Sequence, residues 1–178
     1  MKKYSLILIL IFITSEALAS NKKEIINNLK NTNNLSFNFE QNINGEIEKG
    51  NCTIQYPKKI YCEYESDNKK ILVSNGRSLV IKTSKSYYLY PLNKTPLNFI
   101  LNKDFLLKKI DYLNERVIDN KYINYSFIEN ENEINIFFDK KNYNLIGWQM
   151  LDIFQNQSIT YLYSIIKNQE IKKNFFKI

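Results

Sequence analysis

Two cysteines, a few scattered carboxylates and no histidine are the groups in this sequence whose chemistry has to be weighed first. Cys52 and Cys62 stand symmetrically about Pro57. A hairpin centred on that proline would set them opposite one another with the same facing. Opposed Cβ atoms in paired strands are about 4.5–5.5 Å apart, slightly long for a disulfide, a gap that twist or a non-hydrogen-bonded pairing closes. In an exported chain with an even cysteine count the expected outcome is a structural disulfide, the alternative being two buried thiols. The C-x9-C spacing without histidine is no zinc pattern. Lacking histidine, the chain has no histidine-based dyad or triad and lacks the commonest metal ligand. Asp67, Asp104, Asp111 and Asp152 show no paired catalytic spacing. Ser74-Asn75-Gly76 falls on a hairpin and not on a hydrolase nucleophile elbow. No enzymatic activity, cofactor or metal is expected.

The first residues address the chain. Met1-Lys2-Lys3 is a basic start, Tyr4 to Ile13 an apolar run, and Ala17-Leu18-Ala19 an A-x-A cleavage signal. These features predict a secretory signal peptide over 1–19. The run is too short to span a bilayer, which takes roughly 20 residues, and no cysteine follows the cut to carry a lipid. The remaining 159 residues suffice for one core, so 20–178 is read as a single domain. Formal charge is +7, or +6 without Lys2, Lys3 and Glu16. Its lysines are dispersed among Asn, Ile, Tyr and Phe, as on a solvated surface, and export argues against nucleic acid as a partner.

Hydrophobic periodicity then orders the rest. Asn21 with Glu24 resembles a capping box opening a helix over about Lys22 to Asn31, with Ile25, Ile26 and Leu29 on one face. Period-two alternation follows at Leu35-Phe37-Phe39, Cys52-Ile54-Tyr56 and Ile60-Cys62-Tyr64. Ile71 to Ser74 runs through Asn75-Gly76 into Ser78 to Ile81, and Asn-Gly between apolar runs is the signal of a type I′ hairpin turn. Tyr87 to Tyr90 is a further strand. Thr95-Pro96 is read as a helix start with Leu97, Ile100 and Leu101 on one face, and Asp104 as the cap of a second helix bearing Phe105, Leu106, Leu107 and Ile110. Strands resume at Ile134 to Phe138, Leu145 to Phe154 and Ser158 to Ile166. One N-terminal helix, about ten antiparallel strands and a helical insertion after the sixth predict a mainly β, α+β domain. Its architecture would be a highly curved sheet or barrel, with helices covering its open concave face.

Several of these stretches resemble the outer-membrane lipoprotein carrier family. Phe37-Asn38-Phe39-Glu40-Gln41 is similar to its F-x-F-x-Q strand. Gly45, Gly50 and Tyr56-Pro57-Lys58-Lys59-Ile60 follow in order, then Ile71-Leu72-Val73-Ser74-Asn75-Gly76 with Leu79, similar to L-V-S-[DN]-G-x-x-L. Leu145 to Asp152 and the finish from Ile171 to Phe176 resemble the closing strands. The likeness is strongest from Phe37 to Leu101 and weak from Asp111 to Asn132. It implies an unclosed β-barrel with an α-helical lid and an apolar cavity, working in the periplasm as a monomer. It also implies acylated lipoproteins as cargo, an ATP-driven releasing complex of the inner membrane as donor, and an acceptor at the outer membrane. One position departs from the pattern. The family often has a basic residue before the turn proline that holds the lid by hydrogen bonds to lid carbonyls. Tyr56 stands there and offers one hydroxyl in place of a guanidinium fork.

An acyl chain of about sixteen carbons costs on the order of 12 kcal/mol to expose to water, at about 0.8 kcal/mol per methylene. A carrier therefore needs apolar lining of comparable area. Composition alone would assign the apolar stripes to an ordinary core; the resemblance favours a cavity. On that reading Phe37, Phe39, Ile54, Tyr56, Ile60 and Tyr64 are wall candidates. Leu97, Ile100, Leu101, Leu106 and Leu107 would form the inner face of the lid, with Trp148 and Met150 on another strand. The competing function is a periplasmic sensor or regulatory module, or a binder of other lipids, on the same half-barrel. A regulator would be expected to carry a second domain, whereas this sequence stops soon after its last strand.

Overall fold

The structure, a computed structural model, describes residues 20–177. The segment 1–19 read as a signal peptide lies outside the described residues. Helix α1 (Asn21–Lys30) is followed by β1 (Asn34–Ile43), β2 (Glu46–Gln55), β3 (Lys59–Tyr64), β4 (Ile71–Asn75), β5 (Ser78–Lys82) and β6 (Tyr87–Pro91). A 3-10 turn at Leu92–Lys94 leads into α2 (Leu97–Leu101) and α3 (Lys103–Tyr112). Then come β7 (Arg116–Ile118), β8 (Tyr122–Glu129), β9 (Asn132–Asp139), β10 (Leu145–Leu151) and β11 (Gln157–Lys167). All eleven strands form one antiparallel sheet in the order β6-β5-β4-β3-β2-β1-β11-β10-β9-β8-β7. Every neighbour is a hairpin partner except β1 and β11, which join the two arms. β6 and β7 end the sheet and do not pair with each other, so the barrel is unclosed, as the family resemblance implies.

Burial alternates along the strands as an inward apolar face requires. On β1, Leu35, Phe37 and Phe39 are buried while Asn38 is exposed. The inward face packs against Ile25 and Leu29 of α1, Ile100 and Leu101 of α2, and Leu106 and Ile110 of α3. These few helical residues hold three short helices that would be marginal alone.

Local chemistry differs from the sequence reading in several places. Ser20 caps α1, its hydroxyl accepting from Lys23 N, so Asn21 is already the first helical residue. Asn102 caps α3 by accepting from Phe105 N, which leaves Asp104 in the first turn, where its charge still favours the helix dipole. Thr95 turns its hydroxyl back onto Leu92 O and caps nothing. The β4–β5 turn is not type I′: of its two central residues only Gly76 has positive φ (+100°), and Asn75 Oδ1 instead accepts from Arg77 N and Ser78 N. Consecutive positive φ values occur instead at Asn130 (47°) and Glu131 (65°) between β8 and β9, and at Asp119 (49°) and Asn120 (55°) between β7 and β8. β7 and β8 are unforeseen strands. β10 ends at Leu151, and Phe154 lies in the following turn.

Cys52 and Cys62 are register partners on β2 and β3, and they form the disulfide. Their Cα atoms are 4.1 Å apart, the close spacing that a non-hydrogen-bonded pair permits. Closing a ten-residue loop restricts the unfolded chain by about 2–3 kcal/mol. The double variant Cys52→Ser/Cys62→Ser should therefore lose stability of that order in urea denaturation. An unchanged midpoint would show that the bond adds nothing to the paired hairpin.

Candidate functional site

Inward side chains of β1 to β5, β10 and β11 surround a cavity of about 130 Å³ beneath the start of α2. Of the residues singled out from sequence, Phe39, Ile60, Tyr64, Leu97, Trp148 and Met150 meet around it, and the Cys52–Cys62 disulfide forms part of its wall. The others do not reach it. Phe37, Ile54, Ile100, Leu101 and Leu106 are buried in the solid core, Phe37 edge-on to Trp148 at 6.3 Å. Leu107 is half-buried against that core on α3. Tyr56 lines a separate pocket of about 20 Å³ near α1. The division runs along β1 itself: Leu35 borders the small pocket, Phe37 is core, and Phe39, Gln41 and Ile43 face the cavity.

Gly50 makes the wall possible. It lies between Phe39 and Tyr64 in the register, and their rings meet over it at 5.0 Å, edge to face. A Cβ there would stand 2.1 Å from Glu63 O and 2.9 Å from the Phe39 ring.

Sequence reasoning missed much of the lining. Leu72, Leu79, Ile81 and Ile153 are apolar and, in the strands, share the facing of residues it did select, so period two was the available signal. Gln41, Lys70, Asp152, Ser158 and Thr160 are polar, and no search for apolar stripes finds them. Lys70 Nζ reaches both Glu48 carboxylate oxygens at 2.7 Å and lies 4.1 Å from the Tyr64 ring centre. Asp152 Oδ1 accepts from Phe154 N and Asn156 N, holding the turn after β10. Phe154 in that turn meets Tyr88 of β6 at 6.2 Å, bringing the turn against the free edge of the sheet. Among the described residues no three Cys, Asp or Glu side chains gather to hold a metal.

The lid is held without Tyr56. Its hydroxyl is buried and has no hydrogen-bond partner among the described residues. The backbone N–H of Lys58 donates to Leu101 O at 2.8 Å instead. Lys103 Nζ donates to Lys30 O and Thr32 O and lies 5.7 Å from the centre of the Tyr56 ring, tying α3 to the end of α1.

The site is thus a mainly apolar cavity on the concave face of an unclosed antiparallel barrel, beneath a two-helix lid. The family model "Outer membrane lipoprotein carrier protein LolA" matches residues 30–178, and the chain belongs to that family. Its fold is similar to that of an uncharacterized conserved protein from Thermus thermophilus, with TM-score 0.53 and 7% identity over 88% of this chain and 92% of that one. It is also similar to the Pseudomonas aeruginosa MucA/MucB complex, with TM-score 0.50 and 7% identity over 90% of this chain and 61% of that one. A LolA superfamily protein from Nitrosomonas europaea aligns at TM-score 0.42 and 10% identity over 82% and 89%. At these identities the likeness is one of fold. A comparison with curated proteins gives no match.

Burial raises the tyrosines of this region above their ordinary value of 10.0. Tyr56 and Tyr64 go well above it, and Tyr61 goes to about 12 through burial and then its bond to Glu63. A raised folded value means stability that is whole below pH 10 and lost as pH rises through the folded values. Denaturation midpoints should be level from about pH 7 to 9 and fall above about pH 10. All tyrosines ionising with ordinary midpoints before any unfolding would contradict this burial.

Proposed function

We propose that the chain is a periplasmic carrier of lipoproteins, taking their acyl chains into the cavity after release from the inner membrane and delivering them to the outer membrane. The observation that carries this reading is the apolar cavity under the lid, on the fold of a lipoprotein carrier family. Residues 1–19 would be the leader removed on export, leaving one domain over 20–178, and the disulfide suits an oxidising compartment. Its donor would be the ATP-driven releasing complex of the inner membrane, and its acceptor a protein of the outer membrane.

At about 10–15 Å³ per water-sized group, the cavity has room for roughly ten such groups, fewer than the methylenes of a long acyl chain. Pro96 and Leu97 form its helical side, so their displacement is what admits the rest. α2 and α3 are tied by the Lys58 N–H to Leu101 O bond, by Lys103 on Lys30 O and Thr32 O, by Lys22 on Asp111 O, by the Lys109–Glu129 ion pair and by the burial of Ile100, Leu101, Leu106 and Ile110. Displacing Pro96 and Leu97 alone leaves those ties in place, and cargo in turn remains releasable.

Depleting the protein from the cell that makes it and fractionating the membranes tests the role. Lipoproteins should accumulate in the inner membrane and fall in the outer one. Normal delivery would overturn the carrier reading and favour a sensor that binds lipoproteins or a partner protein.

A further inference from the structure

Thr160 is 4% exposed, faces the cavity and has no hydrogen-bond partner for its hydroxyl among the described residues. Buried hydroxyls are nearly always paired, and valine would give the strand the same shape without the cost of an unpaired donor. Two residues earlier on the same face of β11, roughly 7 Å away, Ser158 is 2% exposed and also lines the cavity. A directed chain of hydrogen bonds leads to it. The Tyr64 hydroxyl donates to Gln41 Oε1 at 3.4 Å, and Gln41 Nε2 donates to Ser158 Oγ at 2.6 Å. Ser158 Oγ thus serves as acceptor, and its own O–H is left to donate. Two hydroxyls thus stand on the cavity lining beside the Gln41 amide, with Met150 and Trp148 as the register partners of Ser158 and Thr160 on β10.

Their surroundings select the acceptor. Lys70 is satisfied by both oxygens of Glu48, and the Asp152 carboxylate is occupied by the amides of its turn. With these charges already paired, the two hydroxyls suit a neutral acceptor attached to hydrocarbon. We infer that Ser158 and Thr160 form a subsite for the carbonyl oxygen of an acyl ester or amide, fixing the depth at which an acylated ligand sits. The inference rests on the acyl-cavity reading above and adds to it a preference for acyl over alkyl chains.

Two lipids isolate the carbonyl: 1-monopalmitoylglycerol and its ether analogue 1-O-hexadecylglycerol. Their affinities for the purified protein are read by displacement of a fluorescent apolar dye. A neutral hydrogen bond corresponds to about a five- to tenfold preference for the ester. Thr160→Val and Ser158→Ala should each shrink that ratio toward one while leaving ether affinity unchanged, and Thr160→Ser should retain it. Equal binding of ester and ether by the unaltered protein would overturn the subsite while sparing the cavity. So would a preference that survives in the Thr160→Val/Ser158→Ala double variant. Binding of neither lipid would overturn the acyl-cavity reading itself, and the subsite with it.

Discussion

From the free edge at Tyr87–Pro91 the chain must travel to the other free edge at Arg116–Ile118, and residues 92–115 make that crossing on the concave side of the sheet. If β6 and β7 were paired, the sheet would close into a barrel without a free edge. Left apart, they leave an apolar face that water would wet, and the connection between them becomes the cover. Leu92, Ile100, Leu101, Leu106 and Ile110 bury themselves beneath it. Lid, cavity and open edge are therefore consequences of one missing pairing.

The crossing fills the concave face unevenly. α1 packs against α3, and there the side chains of sheet and helices interlock as solid core. At the start of α2 only Pro96 and Leu97 reach down, and the space beneath them stays open. The sheet on that side is stiffened by the Cys52–Cys62 bond and by the close approach of strands at Gly50.

Much of this was legible in the residues. The alternation in β1 to β3, the shared facing of Cys52 and Cys62 across Pro57 and the helical insertion after the sixth strand follow from patterns of period two and 3.6, and the unclosed barrel from the family resemblance. β8 carries the same alternation in Ile123, Tyr125 and Phe127, but its turns are made by Asp119-Asn120 and Asn130-Glu131 without glycine, so its boundaries were silent. Phe37 and Phe39 are one type on one face of one strand, yet the first is core and the second is wall. What separates them is the position of the helices, which no local pattern encodes. Gln41, Ser158 and Thr160 were invisible because polar residues on an inward face oppose the pattern that defines the face. Tyr56, a wall candidate that stands where the family often has a basic residue, lines the small pocket by α1 with its hydroxyl unpaired among the described residues, while backbone and Lys103 tie the lid.

The central claim is that the cavity takes acyl chains, and native mass spectrometry tests it most directly. The purified protein is mixed with a detergent-solubilised triacylated lipoprotein, and in parallel with the same polypeptide lacking its acyl chains. A one-to-one complex with the acylated form alone is the predicted result. No complex, or equal complexes with both forms, would contradict it and identify the concave face as closed core or as a surface for protein recognition.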